Sequence, residues 1–279
     1  MSRTSRGGPT IAESLREYGR GIGGGFLFSL PLIMTMELWA AGVTTSPLRL
    51  LAGLAGTFIL LCGYNAYAGL RHDTRFGEIL VDSVEELGIG LVLGAGILLM
   101  LGRIDGSSSL TAAIGLTLVE GLFVAVGVSV GTAQLTGATD EHGGVEGRHQ
   151  TISSEVALAL CGAVLIAANV APTDEILILA SEMQPLLLLS ALVASLVLAA
   201  TLLYFSDFRG SARFAGTRGV FGVVRGTVIT CAAGLVGSAA LLWFFGRFDG
   251  HGLTLNVAQC VVLGIPGALG AAAGRLLLR

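Results

Sequence analysis

Glu120 is the side chain with the clearest chemical potential in this sequence, because it lies where a charge is hardest to keep. It sits in Leu118-Val119-Glu120-Gly121-Leu122, near the middle of an apolar run covering 108–132. A charge at the bilayer midplane is costly even on permissive scales, so such a carboxyl must face protein or water. It reads either as a proton or cation site or as a protonated glutamate hydrogen-bonded to a neighbouring helix. Glu37 lies in Thr35-Met36-Glu37-Leu38-Trp39, in the outer third of the first apolar run. Pro31 precedes it and removes a backbone hydrogen bond, and Gly21, Gly23, Gly24 and Gly25 loosen the same stretch. A broken helix bearing a carboxylate has the form of a coordination site. The plainer alternative is that Glu37 and Trp39 anchor the helix at the interface. Asn169, Asn256 and Gln259 fall toward the same side as Glu37, which suits a shared outer cavity, although amides in spans often only link helices. Glu37, Glu120, Asn169, Asn256 and Gln259 are therefore the candidate substrate- or ion-binding residues.

Other polar residues carry less. Glu85 and Glu86 open the third apolar run, where acids suit the helix dipole, and read as a solvated helix start. The histidines His72, His142, His149 and His251 are all in loops, and none has metal-site spacing. No His-Glu-x-x-His, Gly-x-Ser-x-Gly or Walker-type motif is present, and no nucleophile–base pair is visible, so neither an enzyme nor a cofactor is expected. The sequence has no lysine, which excludes a retinal or pyridoxal Schiff base. Cys62, Cys161, Cys231 and Cys260 lie inside apolar runs and read as buried thiols. No basic, aromatic-interleaved face exists to bind nucleic acid.

The elements that must position these residues are long and apolar. Of 279 residues, 53% are hydrophobic and 13% charged, against about 25% charged in soluble domains. The mean hydropathy is +0.81. Uncharged stretches recur at roughly the 20 residues that cross a bilayer as helix. The alternation that marks a β-barrel is absent. The class is thus all-α, a polytopic membrane protein in a lipid bilayer. Eight transmembrane helices are expected at about 22–43, 47–70, 80–102, 108–132, 152–171, 184–205, 220–245 and 252–275. Residues 1–20 form an N-terminal segment with an amphipathic surface helix after Pro9-Thr10, and no cleavable signal peptide is expected. Residues 134–151, rich in Gly, Asp, Glu and His, form a linker.

The spans read as two tandem four-helix repeats, 21–133 and 152–279. Gly102-Arg103-Ile104-Asp105-Gly106 returns 144 residues later as Gly246-Arg247-Phe248-Asp249-Gly250. Pro47-Leu48 returns 138 residues later as Pro185-Leu186, and Gly121, Gly127 and Gly131 return 143 later as Gly264, Gly270 and Gly274. Asp174–Gln184 has no evident counterpart and reads as an insertion, a short surface helix. Arginine placement puts both termini and the linker in the cytoplasm and both Gly-Arg-x-Asp-Gly turns outside. Each repeat has an even number of spans, so the two are parallel. An ion pair within each turn is conceivable, but a structural turn is the simpler expectation. Gly-x-x-x-Gly spacings at Gly90/Gly94, Gly127/Gly131 and Gly270/Gly274 allow close helix packing. They predict that the fourth and eighth spans meet at the interface between the repeats.

Gly23-Gly24-Gly25-Phe26-Leu27-Phe28, Pro31-Leu32 and Thr35-Met36-Glu37-Leu38-Trp39 resemble the first span of a family of bacterial integral membrane proteins of unknown function. The resemblance implies a bacterial origin and an inner-membrane location, and it draws attention to Glu37. It implies no activity. The duplicated unit and its intramembrane carboxylates favour a secondary transporter or channel-like protein for a small ion or solute. A non-catalytic scaffold or sensor that acts through a partner protein, with the linker Gln134–Thr151 as its contact, is the alternative; the partners considered are a homo-oligomer or a small membrane protein.

Overall fold

A computed structural model of the protein describes residues 11–68, 76–136, 152–210 and 219–277, and every regular element among them is an α-helix. In chain order these are α1 (Ile11–Ile33), α2 (Met36–Thr44), α3 (Pro47–Ala68), α4 (Phe76–Met100), α5 (Leu110–Thr136), α6 (Ile152–Ala167), α7 (Glu175–Glu182), α8 (Pro185–Gly210), α9 (Gly219–Phe244) and α10 (Leu253–Leu277). Most of the expected linker, from residue 137 to 151, lies outside the described residues, as do residues 1–10.

Among the described residues, six helices, α3, α4, α5, α8, α9 and α10, are long and apolar enough to cross a membrane. The protein is therefore a multi-pass integral membrane protein. The other two expected spans differ from expectation. The first is split at Met34–Thr35 into α1 and α2, and α1 begins at Ile11, so the segment read as a separate surface helix runs on into the bundle. The fifth is only α6, 16 residues, or roughly 24 Å at 1.5 Å per residue. That is short of the ~30 Å hydrocarbon core.

Both interruptions close their loose backbone groups with side chains. At the first, Thr35 Oγ1 donates to the Leu32 carbonyl at 2.8 Å and Trp39 Nε1 donates to the Ile33 carbonyl at 2.9 Å. At the second, Thr173 Oγ1 donates to the Val170 carbonyl at 2.8 Å and Asn169 Nδ2 to the Leu165 carbonyl at 2.7 Å. Non-helical backbone at membrane depth persists only where such partners exist. A short helix follows each break, and each has an acid in its first turn, Glu37 in α2 and Glu175 in α7. The helix dipole favours that placement. α7 is not a surface appendage, because Ile176 and Ala180 are buried in the core against α10.

The packing order runs in parallel through the chain. α5 is the centre of the first half and packs on α1, α2, α3 and α4; α10 is the centre of the second and packs on α6, α7, α8 and α9. Glycine sets the tightest contacts. A side chain at Gly24 would run into the Gly131 backbone, and one at Gly162 into the backbones of Gly270 and Gly274. These glycines therefore join α1 to α5 and α6 to α10, within each half. They do not join α5 to α10, as the spacing had suggested. The halves meet through α3 on α6. They also share one apolar core, in which Leu38, Val119, Leu122 and Phe123 meet Leu242, Phe244 and Leu263.

The two Gly-Arg-x-Asp-Gly turns end α4 and α9 in the same way. Arg103 N bonds to the Leu98 carbonyl and Arg247 N to the Leu242 carbonyl, each at 2.8 Å. Gly102 and Gly246 take φ of +64° and +74°, the left-handed cap that only glycine adopts without strain. Arg49 Nη1 and Nη2 grip Asp249 at 2.7 and 2.6 Å, which ties the start of α3 to the second turn. Since the helices alternate in direction, this bond places both turns at one end of the bundle.

Candidate functional site

Glu120, on α5, is sealed inside the protein, at 1% exposed. Gly94 of α4 approaches the backbone of Glu120 and Gly121, so α4 covers that face. Val119 and Leu122, its neighbours on α5, belong to the core shared by both halves. The Trp39 indole lies beside the carboxyl, but its N–H is committed to the Ile33 carbonyl. Neither Glu120 oxygen has a hydrogen-bond partner in the protein. For the helix-linking reading of Glu120, the Trp39 indole is the adjacent donor, and its N–H goes to the Ile33 carbonyl. Buried polar atoms are nearly always satisfied, so each exception calls for a specific cause.

The candidate amides show the same defect. Asn169 Oδ1, Asn256 Oδ1 and Gln259 Oε1 are buried acceptors without a donor. Gln259 is wholly buried, and its Nε2 donates to the Arg247 carbonyl at 3.2 Å. All the orphaned atoms of these four residues are oxygens. Oxygen acceptors lacking donors are the groups that a proton, a cation or a donor-bearing solute would satisfy. Asn169, Asn256 and Gln259 flank the second half's part of the shared core, through Val170, Leu255 and Ala258.

Glu37 does not join them. The helix is broken where Pro31 suggested, but the Glu37 side chain is exposed in the first turn of α2. It occupies the same setting as Glu175 of α7, a feature hidden while Asp174–Gln184 read as an insertion.

The turns pair outward rather than within themselves. Arg103 stacks over Trp39, 4.2 Å from the ring centroid, and Arg247 reaches Asp174 at 2.6 Å. Asp105 accepts from Ser107 N at 2.9 Å, from Ser107 Oγ at 2.7 Å and from Ser108 Oγ at 3.1 Å. These bonds hold its carboxyl below the usual carboxylate range. The Arg49 guanidinium does the same to Asp249.

Two polar clusters escaped the sequence reading. In the first half, Asn65 Nδ2 donates to Glu86 Oε2 at 2.8 Å and to Ser83 Oγ at 3.1 Å, and Ser129 Oγ donates to Asn65 Oδ1 at 3.5 Å. α4 starts at Phe76 rather than near residue 80, which moves Glu86 from the first helical turn to the third. Glu85 remains exposed. In the second half, Arg275 Nη1 donates to the Gly226 carbonyl and to Thr230 Oγ1, each at 2.6 Å. Its Nη2 lies 3.4 Å from Glu155 Oε2, and Arg225 reaches Glu155 Oε1 at 3.4 Å. The signal available was positional: an acid one turn into the fifth run and an arginine one turn from the end of the last.

An open groove between α4 and α5, lined by Leu91, Leu99, Ile104 and Ile114 among others, is apolar, and Glu120 is not in its wall. No group of three or more His, Cys, Asp or Glu side chains able to hold a metal occurs among the described residues.

No curated protein and no solved structure matches the chain. A family model does, over residues 17–278, under the description "Putative integral membrane protein (DUF2391)". The match covers nearly the whole chain, from within α1 to the end of α10 with both polar clusters included, and the protein is a member of this family of integral membrane proteins of unknown function.

Proposed function

We propose that the protein is a secondary transporter for a small cation, with Glu120 as the carboxyl that takes up and releases the positive charge. One observation carries this reading: a sealed glutamate, midway along the most buried spanning helix, with both oxygens unpartnered. A residue kept for packing would have been cheaper as leucine, and Leu263 is what stands 143 residues later. The orphaned acceptors of Asn169, Asn256 and Gln259 supply further oxygen groups of the kind a cation needs.

The same reading includes the architecture. The chain is a tandem duplication in which α1–α5 corresponds to α6–α10, supported by the parallel packing order. Thr35 and Thr173, 138 residues apart, bond to the carbonyl three residues back at the same 2.8 Å. The turns then face outside and the termini face the cytoplasm of a bacterial inner membrane. An immobile membrane scaffold is the second reading, favoured by the backbone-to-backbone glycine contacts that lock α1 to α5 and α6 to α10.

Flux in proteoliposomes decides between them. Purified wild-type protein should move protons or alkali cations down a gradient, and Glu120→Gln should stop it while keeping the melting profile. A wild-type protein that moves no such ion while the scaffold stays folded favours the second reading.

A further inference from the structure

The polar cluster around Glu86 has a counterpart that shows what it lacks. Under the proposed duplication, Glu86 corresponds to Thr230 and Ser83 to Thr227, 144 residues apart in each case. In the second half a guanidinium occupies this place: Arg275 bonds to Thr230 Oγ1 and the Gly226 carbonyl and faces Glu155. In the first half the position of Arg275 is Thr132, whose hydroxyl donates to the Val128 carbonyl at 2.8 Å. The Asn65 amide instead faces Glu86. An amide donates a hydrogen bond but carries no charge, so it orients the carboxylate without neutralising it. Asp82 and Glu85 of α4 add further negative potential at this site, and the Cys161 thiol of α6 lies close by.

We propose that Glu86, with Asn65, Ser83 and Ser129, is an exchangeable site for one positive charge, a proton or an alkali cation, at the level where the second half carries the fixed guanidinium of Arg275. The donor set suits that ligand. It offers the Glu86 carboxylate and the Ser83 and Ser129 hydroxyls as oxygen ligands, while the Asn65 amide N–H orients the Glu86 and Ser83 oxygens, and the four residues come from three helices of the same half. Hard monovalent cations and protons take such groups, and soft metals do not. Asn65, Ser83 and Ser129 are buried, so ligand entry must pass Glu86 itself, which is partly exposed. Ser129, which bonds Asn65 of this cluster, lies nine residues beyond Glu120 on α5, which places the two sites about 14 Å apart along the helix at 1.5 Å per residue. The side chains of α5 between them are apolar. The sites are therefore separate stations.

This inference rests on the paired halves and not on Glu120, and its test needs no transport assay. The intact protein in detergent is melted in a NaCl series at fixed pH and ionic strength, with choline replacing sodium, and in a pH series at fixed sodium. Binding to the folded state raises the midpoint by mass action. Wild type should gain several degrees along one of the two series, sodium for an alkali cation or falling pH for a proton. Glu86→Gln should keep its fold and lose that gain, and Ser129→Ala should reduce it. Glu120→Gln should keep the share of the gain that Glu86→Gln removes, which separates this result from failure of the transport reading. A wild-type midpoint flat in both series, or a gain undiminished in Glu86→Gln, overturns the site.

Discussion

The two halves of the molecule share a packing scheme and differ in where their charges go. Among the described residues of the second half, the buried charges Glu155 and Arg275 face each other, and Arg225 also reaches Glu155. The first half holds Glu86 against neutral donors and leaves Glu120 with none. Leu263 stands at the second half's equivalent of Glu120 and completes an apolar core. Two similarly packed halves thus differ in charge: one is charge-compensated, which reads as a frame, and one leaves charge open, which reads as the working part. Stability and activity should therefore respond to different sets of residues.

The largest effect is expected at Arg275. Replacing it by Met leaves Glu155 buried beside only a half-exposed arginine, and breaking a buried pair in this way costs about 3–5 kcal/mol. Thermal unfolding in detergent would measure it. Glu86→Gln, at the matching level of the first half, should cost far less, since it removes no opposite charge. Equal losses would end the distinction between frame and working half.

Glycine contacts should come next and should behave alike in the two halves. Gly131→Leu and Gly274→Leu each drive a side chain into a facing backbone, at Gly24 and at Leu158–Gly162 respectively. Overpacking of this kind costs about 1–3 kcal/mol or more. Unchanged melting in either variant would mean that the paired crossings do not hold the halves together.

The helix breaks give a smaller and sharper test. Thr35→Val and Thr173→Val keep shape and remove one hydrogen bond each, worth about 0.5–1.5 kcal/mol. If both breaks are structural, the two variants should lose similar stability and neither should alter flux. A selective loss of flux in Thr35→Val would assign the first break to the working half.

The smallest effect is at the surface. Arg49 depresses the Asp249 carboxyl below its ordinary value. A depressed acid contributes stability above its unfolded value, about 3.9, and loses it as pH falls through the folded value. The link from α3 to the second turn should therefore weaken only below about pH 4, and Asp249→Asn should remove that acid dependence in melting curves.

Much of this was legible in apolar run length and glycine spacing. Six runs of suitable length became six spanning helices, and Gly102 and Gly246 became the caps that their repeated turn implied. Glu120 was legible because a carboxylate inside a run such as Leu118–Leu122 contradicts its surroundings. The rest failed for local reasons. Pro31 marked the first break, but Pro172-Thr173 was not matched to it, so α7 looked like an insertion and Glu37 looked special. Placing the start of α4 four residues late turned Glu86 into a solvated residue. The partners of Arg49 and Arg275 lie 200 and 120 residues away in sequence, at Asp249 and Glu155, and no spacing rule brings such pairs together.

The most direct test of the account is ion flux into proteoliposomes by wild type, Glu120→Gln and Glu120→Leu, each checked for an intact melting profile. The account predicts flux for wild type and none for either variant, with Glu120→Leu folding as well as wild type because leucine fits the matching place in the second half. A silent Glu120→Gln beside an unstable Glu120→Leu would contradict it and return Glu120 to a purely structural role.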